Sequence, residues 1–170
     1  MKEKKSALYL AQAAIIAALY VVLTWIANLF GLASGAIQVR LSEALTILPV
    51  FTPASIPGLF VGCILANLLT GCAPWDVVFG SIATLLGALG TWAIARSKLP
   101  RSAKEWTACL PPIISNVLIV PWVISIVYEA TESIPFLMLT VGVGEVISCG
   151  ILGMCLYLAL KPRSKTIFAE

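Results

Sequence analysis

Six apolar stretches follow one another along the chain, separated by short polar or glycine- and proline-rich breaks. The first runs from about Ala7 to Phe30, and the second, from Val39 to Phe51, is short for a crossing. A tight turn at Phe51-Thr52-Pro53 leads into the third, Ala54 to Leu69, with Pro57 in its first turn. Asp76 is placed to N-cap the fourth, which ends near Ala95. The fifth, Trp106 to Val127, carries Pro111-Pro112 and Pro121 as breaks. The sixth spans Ile134 to Leu160. Between them lie a loop at 31–36 with Gly31, Ser34 and Gly35 as breakers, one at 70–75, a charged loop from Arg96 to Glu105 and an acidic one from Tyr128 to Ser133. The apolar runs are continuous rather than alternating, so they predict helices and exclude a β-barrel.

Composition turns six apolar helices into six membrane spans. Hydrophobic residues make up 60% of the 170 and charged ones 11%, against about 25% charged in soluble domains. At about 20 residues per span the length fits five or six helices. The expected fold is all-α and polytopic, one six-helix unit over 1–170. Lys2, Lys4 and Lys5 resemble the start of a signal peptide, but the apolar run behind them is too long to be one and reads as a retained first span. With six spans, both tails and the 96–105 loop share one side, which collects every lysine and arginine but Arg40. The positive-inside rule puts that side in the cytoplasm.

Chemistry is confined to a few positions. The chain has no histidine, and its five cysteines form no Cys-x-x-Cys, which argues against a disulfide framework, a zinc site or a metal hydrolase. No nucleophile elbow or phosphate loop occurs, and neither a cofactor nor a nucleic-acid partner is expected. Arg40 and Glu43, three apart, share a face if helical and can pair. Arg40, Glu43, Asp76 and Asn67 fall near the outer ends of spans. Glu145 lies about eleven residues into the sixth span, roughly 16 Å down at the helical rise. An ionisable group that deep is a functional candidate, and Asn116 reaches a similar depth. Each has a plainer role: Asp76 as a cap, Arg40 and Glu43 as mutual neutralisers, the asparagines as interhelical bonds. Glu129 and Glu132 read as a solvated loop. Trp25, Trp75, Trp122 and Tyr128 read mostly as an interfacial aromatic belt, with one or two able to stack on a flat ligand. Ala13 with Ala17, and Ala14 with Ala18, give the first span small faces that serve either bundle packing or docking of another protein. A polar outward pocket with no energy source of its own implies a capture subunit that borrows energy from a partner.

The segments Ile37-Gln38-Val39-Arg40-Leu41-Ser42-Glu43-Ala44-Leu45, Pro57-Gly58 with Gly62, and Asp76-Val77-Val78-Phe79-Gly80-Ser81 resemble the QueT family, over nearly the whole chain to Gly144-Glu145. These are queuosine-precursor S components of energy-coupling factor (ECF) transporters. The resemblance implies a six-helix protein of the prokaryotic plasma membrane that binds queuine or another 7-deazaguanine base near the outer face. It also implies partners: a transmembrane coupling protein, docked on Ala14/Ala18 or Ala13/Ala17, and two ATPases. For such a ligand, Glu145 or Glu43 would accept two N–H bonds from the guanine-like edge. Asn116 or Asn67 would bond the ring carbonyl, Asp76 a cationic aminomethyl group, and Trp75 or Trp122 would cover the ring. Arg40 completes the expected site. The competing readings are an S component for another vitamin or nucleobase, a membrane-embedded enzyme, and a scaffold or channel subunit.

Overall fold

The computed structural model of the chain describes residues 2–32 and 37–168, with side chains of the first helix described from Ser6 onward. Two expected breakers, Ser34 and Gly35, lie outside the described residues. Helix α1 (Lys2–Leu29) is followed by a 3-10 helix (Leu41–Val50), α2 (Ser55–Leu69), α3 (Pro74–Arg96), α4 (Arg101–Thr107), α5 (Leu110–Val127) and α6 (Ile134–Glu145). A π-helical segment (Val146–Leu152) joins α6 to α7 (Gly153–Leu160), and a single 3-10 turn leads to α8 (Ser164–Ile167). No strand occurs among the described residues. Four stretches, Ser6–Leu29, Pro74–Arg96, Arg101–Val127 and Ile134–Ile167, are long and apolar enough to cross a membrane; Leu41–Val50 and Ser55–Leu69 are shorter apolar helices.

The short second segment is the centre of the bundle. As a 3-10 helix its ten residues extend about 20 Å, against roughly 30 Å of hydrocarbon. Pro49 lies inside it and has no N–H to donate, which disfavours a regular α-helix here. It touches α1, α2, α3, α7 and the π segment. Ser42, Glu43 and Leu45 through Pro49 are buried. The hydroxyls of Ser42 and Thr46 and the Glu43 carboxylate are thus carried inward together with Ile47 and Leu48.

Small residues set the helix spacing around it. A Cβ on Gly58 would meet the Ala13 carbonyl oxygen at 2.7 Å, and one on Gly62 the Tyr20 Cβ at 2.8 Å and Ala17 Cα at 3.0 Å. The Ala13/Ala17 face therefore packs inside, against α2, and is not free for docking. Ala14 and Ala18 face outward. Gly87 and Gly90 make the same kind of contact with Pro112 and Pro111, where a Cβ would come within 2.6 and 2.5 Å. The prolines thus open α5, where a missing N–H costs nothing, while Pro121 sits within α5 without ending it. The expected charged loop is shorter than 96–105, because Arg101–Glu105 is already helical in α4.

Two ends of the bundle separate by chemistry. Tyr9 Oη donates to the Pro53 carbonyl, Phe51 stacks between Tyr157 and Phe168, and Lys161 Nζ reaches Glu105 Oε1 at 2.7 Å. The start of α1, the Phe51 turn, α4 and the C-terminal turns therefore share one end. Arg40, Asn67, Asp76 and Tyr128 share the other.

Candidate functional site

That second end contains a polar cavity of about 320 Å³ between α1, the 38–40 segment, α2, α3 and α5. Arg40, Asn67 and Asp76 line it, with Gln38, Thr24, Cys72 and Tyr128. Asp76 is not the N-cap of α3. Ala73 holds that position and Pro74 opens the helix, leaving Asp76 buried in the first turn, with its side chain free of capping. Tyr128 Oη donates to Asp76 Oδ2 at 2.5 Å and accepts from Ala73 N at 3.5 Å. Burial and the Asp76 carboxylate push the Tyr128 hydroxyl up to about 12, so it stays a donor through the physiological range. Asn67, 4% exposed, donates to the Asp76 carbonyl at 3.3 Å and so ties α2 to α3 while lining the cavity.

The expected Arg40–Glu43 ion pair does not form: among the described residues the ion pairs are Arg101–Glu105 and Lys161–Glu105. The physical reason is backbone geometry. Arg40 is extended (φ −99°, ψ 104°) and precedes the 3-10 helix, so it does not share a helical face with Glu43. Its position is fixed from behind, where its amide donates to Ser148 Oγ at 3.1 Å. The neighbouring Gln38 carbonyl lies where a Cβ on Gly144 would come within 2.1 Å, a crossing that only glycine allows. Arg40 thus meets the cavity, and Glu43 turns inward to accept a hydrogen bond from Tyr20.

Beneath the cavity lies a second polar layer. The step down is one helical turn, from Thr24 to Tyr20 on α1 and from Val120 to Asn116 on α5. Glu43 (1% exposed) and Glu145 (7%) bring one carboxylate oxygen each, with the Cys149 sulfur, within 4.8 Å of one another. The Cys149 thiol donates to Glu145 Oε2 at 3.1 Å, and the Thr46 hydroxyl, which donates to the Glu43 carbonyl at 2.6 Å, lies 3.4 Å from the sulfur. Asn116 interacts with both carboxylates, yet its Nδ2 and Glu43 Oε2 are buried without a hydrogen-bond partner among the described residues. Glu145 ends α6, and the π-helical turn after it is what brings Ser148 and Cys149 to bear on Arg40 and Glu145.

The tryptophans belong elsewhere. Trp75 and Trp122, with Phe79, line an apolar groove of about 540 Å³ between α3 and α5, apart from the polar cavity. The cause is helical phase. Trp75 precedes the inward Asp76, and Trp122 falls between the cavity-lining Val120 and Ile124, on the opposite side of α5. Both are more than half exposed, as is Trp25, in keeping with an aromatic belt. Tyr128, read with that belt, instead belongs to the cavity. Sequence reasoning missed Tyr20 and Cys149 as well. A lone phenol midway through an apolar helix was the available signal for Tyr20; Cys149 offered none.

Fold and site together define a multi-pass cell-membrane protein with a polar cavity open at one end and a buried carboxylate layer under it, an arrangement suited to holding a solute. Residues 10–162 match the profile of the QueT transporter family, and the chain belongs to that family, whose members are transporters rather than enzymes. The chain is similar to the queuosine precursor transporter QueT of Lactococcus lactis subsp. cremoris (strain MG1363), with 39% identity over 85 residues. That match covers 49% of this chain and 49% of the relative, so it spans about half the relative's length. No solved structure matches the chain.

Proposed function

We propose that this chain is the substrate-binding S component of an ECF importer and captures queuosine precursors, queuine or another 7-deazaguanine base, at the outer face. The observation that carries the reading is the pair of buried carboxylates, Glu43 and Glu145, beside an Asn116 Nδ2 with no hydrogen-bond partner among the described residues, one turn beneath a cavity that already holds Arg40 and Asp76. A flat base with adjacent N–H donors and a ring carbonyl offers the complementary groups, and its binding would offset the cost of burying two acids. The six apolar helices are six spans with both termini in the cytoplasm. This is supported by the gathering of both tails and the basic 96–105 segment at the end away from the cavity. A single six-helix unit carries the site, and the outward Ala14/Ala18 face receives a transmembrane coupling protein whose two ATPases drive uptake.

Calorimetric titration of the purified protein with queuine, 7-aminomethyl-7-deazaguanine, guanine and a set of vitamins tests the substrate class. Selective binding of the deazaguanines supports it, and selective binding of an unrelated vitamin overturns it.

A further inference from the structure

Tyr20 sits midway along α1 and is 1% exposed, with its hydroxyl bonded to Glu43 Oε1. Its place is built from both sides. Gly62 of α2 gives it room, since a Cβ there would lie 2.8 Å from Tyr20 Cβ. One turn on, Thr24 donates to the Tyr20 carbonyl at 2.9 Å and lies 2.8 Å from Ser42 Oγ, next to Glu43. A buried phenol can spend its proton on any acceptor. This one is spent on a single oxygen of a carboxylate whose other oxygen, Oε2, has no hydrogen-bond partner among the described residues.

We infer that Tyr20 is a positioning residue for the ligand: it occupies Glu43 Oε1 and thereby presents Oε2 as the acceptor for an N–H of the bound base. The inference rests on the reading of Glu43 as a ligand contact. Without the phenol, the carboxylate is free to rotate between orientations, and only some of them aim an oxygen at the ligand. The loss is one charge-assisted hydrogen bond and the orientation it fixed, about a ten- to hundredfold weakening of binding. Tyr20→Phe removes only the hydroxyl and keeps the ring that packs beside Gly62.

The test is calorimetric titration of 7-aminomethyl-7-deazaguanine into the wild type, Tyr20→Phe, Glu43→Gln and the double variant, with melting of each empty protein. Weaker binding by Tyr20→Phe at unchanged melting temperature, with a double variant no worse than Glu43→Gln alone, is the expected result. Wild-type binding by Tyr20→Phe while Glu43→Gln is impaired overturns the role of Tyr20. So does a double variant weaker than Glu43→Gln together with a lower melting temperature, which would make the phenol structural. Wild-type binding by Glu43→Gln overturns the underlying reading of Glu43.

Discussion

Glu43 and Glu145 come from opposite halves of the chain, yet each places a carboxylate oxygen within 4.8 Å of the other's in the middle of an apolar bundle. Two acids so close cannot both ionise without repelling each other, and neither has an ion-pair partner among the described residues. In the proposed function a ligand completes this arrangement. The structure around the pair is correspondingly specific: Tyr20 on one acid, Cys149 on the other, Asn116 between them, and Arg40 in the cavity above.

The crossing of the 38–40 segment over Gly144 gives the first prediction. Gly144→Ala puts a methyl carbon 2.1 Å from the Gln38 carbonyl oxygen, so the segment that carries Arg40 must move. Overpacking of this kind costs about 1–3 kcal/mol. Melting of the detergent-solubilised variant should fall accordingly, and deazaguanine affinity should fall with it. An unchanged melting temperature would show that the segment yields freely.

The two alanine pairs of α1 separate in a second experiment. Ala17→Leu intrudes on Gly62 and should destabilise the protein by about 1–3 kcal/mol. Ala14→Leu and Ala18→Leu face outward and should leave melting and ligand affinity within error while abolishing co-purification with the coupling protein. Retained co-purification in both outward variants would remove that face from the interface.

Tyr128 supplies the third. Its hydroxyl is raised to about 12 by burial and by Asp76, above the ordinary value of about 10. The unfolded chain therefore gives up this proton first as pH rises. Stabilisation by the Tyr128–Asp76 bond is complete below about pH 10 and lost as pH passes through 12. Ultraviolet titration of wild type minus Tyr128→Phe should show one phenol ionising near 12, and a midpoint near 10 would mean the bond is absent. Removing the bond frees Asp76, so Tyr128→Phe should weaken binding of the aminomethyl base by about three- to tenfold at pH 7.

What was legible in the sequence was whatever is rare in a membrane. Arg40, Glu43, Asp76, Asn67, Asn116 and Glu145 stand out because each costs free energy in hydrocarbon, and the fold gathers all six within two adjoining layers. Helix positions were legible for the same reason, from the length of apolar runs. The phase and type of helix were not. An all-apolar helix has no periodic polar face to show which side turns inward, so the sequence does not separate the belt residues Trp75 and Trp122 from the cavity-lining Tyr128. The 3-10 and π segments differ from α-helix by a few tenths of a residue per turn, which a uniformly apolar sequence does not encode. The Arg40–Glu43 pairing failed because it assumed a helix at Arg40, where the chain is extended.

The most direct test of the central claim is the dissociation constant of 7-aminomethyl-7-deazaguanine for Glu145→Gln, read beside the melting temperature of the empty protein. The amide keeps the shape of the acid, removes its charge and turns one acceptor into a donor facing a donor. Breaking a buried charge-assisted pair costs about 2–5 kcal/mol, roughly thirtyfold to several thousandfold in affinity. The empty protein should melt no lower than wild type, because an unpaired buried carboxylate is gone. Unchanged affinity in Glu145→Gln, or lost affinity with a collapsed empty protein, would contradict the account.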